Sequence, residues 1–190
     1  MSKKFWTDTK LSDIQSNIKH RQGVRDFQTS YSHCRTTIIR DYIEKLISQG
    51  KIKPSFTLID LFCGDAIIIR LLKEHFKRAT VIGVDINEIR GHEGAIGAGV
   101  EIKYQYVHDY IKDRKEPVDI VLMMNTYRNI KASGMTKQEF GKINKWLFKY
   151  VAHPIVTTSD IKKAKKYGFN PLIIGKGEGS SKMVDLKGQG

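Results

Sequence analysis

The sequence predicts an α/β fold with one doubly wound, mostly parallel sheet and helices on both faces. An antiparallel C-terminal edge strand and helices at the N-terminus complete the expectation. Three observations predict it. The segment Thr57–Ile69, TLIDLFCGDAIII, reads as strand, glycine turn and helix. Further apolar runs follow at Thr80–Val84, Glu101–Val107 and Val118–Met124. Each run meets an acidic or amide residue at its end: Asp60, Asp85, Asp109 and Asn125. In an open parallel sheet, ligands bind outside the carboxyl ends of the strands, where this reading puts those polar groups.

Each element has its own signal. A short helix is expected within residues 1–28, with Leu11, Ile14 and Ile18 on one face. A longer one is expected from about Ser30 to Ser48, where Ile38, Ile39, Tyr42, Ile43, Leu46 and Ile47 recur at helical spacing and Gly50 ends the run. After the first strand, helix A is expected from about Asp65 to Lys77, with an apolar stripe of Ile67, Ile68, Leu71, Leu72 and Phe76. Four glycines between Gly91 and Gly99 predict a short or irregular second crossover. Thr136 and Glu139 form a capping-box pattern for a helix through Tyr150. Pro154–Thr158 reads as the fifth strand. A short basic helix, IKKAKKYG, follows, then two closing strands at Asn170–Ile174 and Lys182–Leu186. One domain is expected over 1–190, a helical segment 1–50 ahead of a core 51–190.

Composition narrows the function classes. The 190 residues carry 33 Lys and Arg against 20 Asp and Glu, a formal charge of +13. Residues 1–50 hold +4, residues 51–130 only +1 and residues 131–190 +8. The excess lies outside the presumed ligand core, as a polyanionic partner such as RNA would require. The alternative is a solvated lysine surface. Lys162, Lys165 and Lys166 are the densest cluster and share a helical face by spacing, so they are the candidate nucleic-acid contacts. Two cysteines make no disulfide framework, and no Cys/His group has zinc-ligand spacing. The apolar stretches are too short for a membrane span, and the opening MSKKFWTDTK lacks an apolar core. A cytoplasmic protein with no membrane partner and no metal is expected. Its oligomeric state is not readable.

The turn and the strand-end acids carry the chemistry. Gly64 lacks a Cβ, so a ligand can approach its backbone closely. Asp60 can accept hydrogen bonds from a ligand amine or hydroxyl. Asp85 is a bidentate acceptor suited to two ribose hydroxyls. His108 precedes Asp109 on the expected strand. The two therefore point to opposite faces, and His108 is read as structural.

These motifs resemble the class I S-adenosylmethionine (SAM)-dependent methyltransferases over roughly Thr57–Asn125. The resemblance implies a SAM cofactor with its methionine part at Asp60, Phe62 and Gly64. It implies ribose at Asp85 and adenine at Asp109, between Ile86 and Tyr110. The usual first motif has three glycines at alternate positions; here Phe62 and Ala66 occupy the outer two. Asn125 and Tyr127 fall where the family faces its methyl acceptor, and are the candidate catalytic residues. The expected activity is methyl transfer to RNA or another nucleic acid. Methylation of a small anionic metabolite and a non-catalytic nucleic-acid-binding subunit are the alternatives. NAD enzymes also pair a glycine turn with a downstream acid, so a dehydrogenase stays open. The segment HRQGVRDFQTSYSHCR is expected to close over the cofactor.

Overall fold

Alternation along the central strands divides the core in two. Leu58, Ile120 and Leu122 face one side of the sheet, and Ile59, Val121 and Met123 face the other. The computed structural model describes residues 35–88, 91–124, 136–158, 170–173 and 182–185. Its strands are β1 (Thr57–Leu61), β2 (Thr80–Asp85), β3 (Glu101–Tyr104), β4 (Val118–Met123), β5 (Val151–Thr158), β6 (Asn170–Ile173) and β7 (Lys182–Asp185). They form one seven-stranded sheet in the order β3-β2-β1-β4-β5-β7-β6. The first five strands run parallel, with β7 antiparallel to β5 and to β6. The sequence places the antiparallel strand at the edge. In the structure it is β7, second from the edge, and β6 lies outside it.

The helices divide between the two faces. α1 spans 35–48 in its described part, α2 Ile67–His75 and α3 His92–Gly97. Ile39, Ile43 and Leu46 of α1, Ile69 and Leu72 of α2, and Ala95 of α3 pack with Leu58, Ile120 and Leu122. On the opposite face lie α4 (Val107–Lys112) and α5 (Lys137–Tyr150). Val107 and Ile111 of α4 and Ile143, Trp146 and Leu147 of α5 cover Ile59, Val121 and Met123. Truncating one such fully buried Leu or Ile to Ala costs about 2–5 kcal/mol. The two faces are what the binary pattern of the strands requires.

Local chemistry fixes the ends of several elements. The expected capping box is present: Glu139 N–H donates to Thr136 Oγ1 at 3.2 Å, and Thr136 N–H to Glu139 Oε2 at 2.7 Å. Thr57 N–H donates to Asp119 Oδ2 at 2.7 Å, stitching the starts of β1 and β4. β5 begins three residues before the expected Pro154. Pro154 sits opposite Val121 of β4, and pairing with β7 begins only at Ile155. The missing N–H therefore falls where β7 has not yet reached the strand.

β3 departs most from expectation. It ends at Tyr104, and α4 starts at Val107 with Tyr106 as its N-cap. Val107, Tyr110 and Ile111 are buried at helical spacing. The alternation of Glu101–Tyr106 masks that switch in the sequence. The second crossover is short, as expected, but its glycines accommodate the six-residue α3. The N-terminal helix, the segment HRQGVRDFQTSYSHC and the basic helix lie outside the described residues.

Candidate functional site

The sheet order reverses between β1 and β4, so the crevice of this fold opens at the end of β1. Asp60 sits there, paired in register with Gly83 on one side and Leu122 on the other. It is 3% exposed, and its Oδ1 is buried with no hydrogen-bond partner among the described residues. Burial first, then the charges of Asp85 and Asp65, push its carboxyl well above the usual carboxylate range. A buried, unpaired acid is costly to the protein alone and is an invitation to a cation or donor.

The turn after β1 is held by β2. Phe62 N–H and Cys63 N–H both donate to Val84 O, at 2.9 and 3.1 Å. Phe62, Gly64 and Ala66 have φ of 66°, 55° and 56°. All three alternate positions of the motif are thus left-handed, although only the middle one is glycine. Glycine adopts such φ without strain, and each non-glycine residue bears roughly 1–2 kcal/mol of strain for it. Phe62 is half-buried with its side chain against the α4/α5 core, and Ala66 is buried as the N-cap of α2. A Cβ on Gly64 would meet nothing within 4 Å among the described residues, so its φ, not crowding, calls for glycine. At Gly83 the reverse holds. A Cβ there would lie 2.8–2.9 Å from Ile102, Ile69 and Cys63, so its absence lets the turn and α2 settle onto the sheet.

Asp85 ends β2 and reaches back to the turn. Its Oδ2 accepts Gly64 N–H and its Oδ1 accepts Asn87 N–H, each at 3.0 Å. Oδ1 also accepts Asn87 Nδ2 at 3.4 Å, so of the two oxygens it is Oδ2, with two lone pairs and one donor among the described residues, that retains capacity for a ligand hydroxyl. Ile86, half-buried, follows directly. Asp60, Gly64, Asp85 and Ile86 thus converge at the ends of β1 and β2.

Two expected adenine contacts are not placed as the sequence predicts. Asp109 is not at a strand end but in the first turn of α4, exposed, with His108 Nε2 3.6 Å from its Oδ1. The helix, not a strand, brings those neighbours together. Tyr110 is 9% exposed in the α4/α5 core, and its hydroxyl accepts from Arg114 Nη1 at 2.6 Å. The position beside Asp85 belongs instead to Tyr104, its register partner, and to Gln105, which Tyr106 follows. Gln105 N–H donates to Asp85 O at 3.0 Å. Tyr106 is 44% exposed, its ring stacked on His108 with centroids 5.2 Å apart. The buried Val107, Tyr110 and Ile111 triplet is the signal that would have found it.

Sequence reasoning also missed His92. It is 1% exposed; its Nε2 donates to Gly64 O at 2.5 Å, and its Nδ1 meets the Tyr104 hydroxyl at 3.2 Å. Asn125, Tyr127, Lys162, Lys165 and Lys166 lie outside the described residues.

No family model matches the sequence, and no curated protein matches it. Solved structures do. Monomeric WbdD superposes with a TM-score of 0.60 at 14% identity, over 80% of this chain and 41% of that one. Other WbdD structures include one described as a bifunctional kinase-methyltransferase. The plantazolicin methyltransferase BpumL in complex with S-adenosylhomocysteine (SAH) superposes with a TM-score of 0.54 at 13% identity, over 90% of this chain and 61% of that one. The plantazolicin methyltransferase BamL, also with SAH, gives 0.50 at 15% identity, over 75% and 50%. The chain spans less than two thirds of the length of each of these structures. The chain has the fold of the class I methyltransferases.

Proposed function

We propose that the chain binds SAM at the ends of β1–β3 and transfers its methyl group to a polyanionic acceptor, RNA or another nucleic acid. The observation that carries the cofactor reading is the buried Asp60, whose Oδ1 has no hydrogen-bond partner among the described residues, beside a three-position left-handed turn. SAM bears a sulfonium and an ammonium against one carboxylate. Asp60, Asp65 and Asp85 together favour that net cation. The same acids disfavour the pyrophosphate of a dinucleotide at this turn, which separates the reading from a dehydrogenase.

The bound cofactor supplies an electrophilic methyl on sulfur for in-line displacement by an acceptor lone pair. The chain's own part is binding and alignment. Asp60 neutralises the amino group, and Gly64 gives the methionine part its close approach. Asp85 accepts the ribose hydroxyls, and Ile86 and Tyr106 flank the base. Tyr106 replaces Asp109 and Tyr110 in that role because its ring is exposed and it directly follows Gln105, whose N–H donates to Asp85 O.

Charge supports the acceptor class. The +13 excess lies outside the near-neutral core. Lys142, Lys145 and Lys149 add an exposed basic face on α5, with Phe148 exposed among them. Lys162, Lys165 and Lys166 extend the basic composition, and Asn125 and Tyr127 remain the proposed acceptor contacts. A small acceptor is the second reading, favoured by the BpumL match over 90% of this chain, a protein named for plantazolicin. Incubation with methyl-labelled SAM and total RNA decides between them. Salt-sensitive retention on RNA with label transferred to it supports the first. No retention at low salt, with SAM still bound, leaves the second.

A further inference from the structure

Gly64 is held through both of its peptide groups. Asp85 Oδ2 accepts its N–H at 3.0 Å, and His92 Nε2 donates to its carbonyl at 2.5 Å. The other ring nitrogen of His92 lies 3.2 Å from the hydroxyl of Tyr104, and Tyr104 is the register partner of Asp85 across β2 and β3. These contacts close a ring, Asp85–Gly64–His92–Tyr104–Asp85. It links the turn after β1, the end of β2, the start of α3 and the end of β3. A left-handed peptide has no helix or strand ladder to fix it, so its orientation must come from such partners.

We infer that His92 is a positioning residue for the cofactor: it sets the orientation of the Gly64–Asp65 peptide in the turn against which the methionine part of SAM packs. This rests on the SAM reading above. His92 itself is buried beneath the turn and needs no contact with the ligand. The bond to the Gly64 carbonyl fixes the tautomer, with the proton on Nε2 and Nδ1 accepting from Tyr104. Gly91, just before it, fits the same function. A Cβ there would lie 2.8 Å from Asp65 O, so the absent side chain lets α3 start against the turn. The glycine-rich stretch, unpromising as helix, thereby delivers an imidazole to the motif.

Amide geometry separates positioning from packing. In His92→Gln the amide nitrogen reaches the place of Nε2 and can keep the Gly64 bond. In His92→Asn it reaches only the place of Nδ1. His92→Phe keeps the ring volume and removes both polar atoms. Calorimetry with SAH is expected to show affinity within about threefold of wild type for Gln. Losses of about tenfold or more are expected for Asn and Phe, which leave a buried carbonyl unpaired. The Gly64 amide resonance in the apoprotein should move in Asn and Phe and stay in Gln. A folded Phe variant that binds SAH as wild type, with the Gly64 resonance unmoved, overturns the inference. So does a Gln variant as impaired as Asn. Should Phe fail to fold, the Gln–Asn pair decides alone. Should wild type not bind SAH, the cofactor reading fails, and the Gly64 resonance still tests the positioning.

Discussion

Asp85 accepts the N–H of Gly64 at 3.0 Å, although 21 residues separate them. The acid that ends β2 therefore also holds the glycine turn that follows β1. Its second oxygen holds Asn87 N–H, so the carboxylate is oriented before any ligand arrives. Asp85→Ala is expected to weaken SAM binding by about 1.5–3 kcal/mol, the range for hydrogen bonds to a charged group. Calorimetry on the folded variant checks it, and unchanged affinity would remove Asp85 from the site.

Asp60 should trade stability for binding. Its folded carboxyl is raised, by burial and then by Asp85 and Asp65, above its unfolded value near 4. Between those two values the native state binds more protons than the unfolded one, so apoprotein stability falls as pH rises through that window. Asp60→Asn is expected to remove that slope and to stabilise the apoprotein at neutral pH by about 1–3 kcal/mol. The same variant should lose SAM affinity. In the wild type, affinity for the cationic ligand should rise with pH over the same window. Urea melts and calorimetry across pH measure both. A variant less stable than wild type at neutral pH contradicts the assignment.

Gly64→Ala separates conformation from contact. A Cβ there meets nothing within 4 Å among the described residues, so only its φ of 55° opposes it. The stability cost should be about 1–2 kcal/mol, as for other left-handed non-glycine residues. SAM affinity should fall further than that, because the methyl group occupies the ligand's approach. Equal losses in thermal stability and in binding would argue that no ligand packs on Gly64.

Tyr106 and Asp109 make opposing predictions about the base. Tyr106 has an exposed ring one residue beyond Gln105, the partner of Asp85 O, while Asp109 lies on α4 beside His108. Tyr106→Ala should weaken SAH binding about fivefold to tenfold, the value of one aromatic stack. Asp109→Ala should change it less than twofold. The reverse pattern would restore the assignment that the sequence alone suggests.

The legible parts of the sequence are those where one signal dominates. Thr136 and Glu139 announce their helix because a capping box is local chemistry. The strands through Asp60 and Asp85 announce themselves because short apolar runs end in a turn. Tyr104–Tyr106 is illegible for the opposite reason: its alternation satisfies a strand while Val107, Tyr110 and Ile111 satisfy a helix, and packing against α5 decides. His92 hides because glycines around it discourage a helix, and its partners lie 28 and 12 residues away. Phe62 and Ala66 look like departures from a glycine motif. Their backbone shows that the conformation persists without the residue type.

Whether this turn and its acids hold SAM is decided by calorimetric titration of the full chain with SAH. Saturable one-to-one binding is expected, weaker in Asp60→Asn and Asp85→Ala, with no competing affinity for NAD. Binding of NAD in preference to SAH, or no SAH binding by the folded protein, would contradict it.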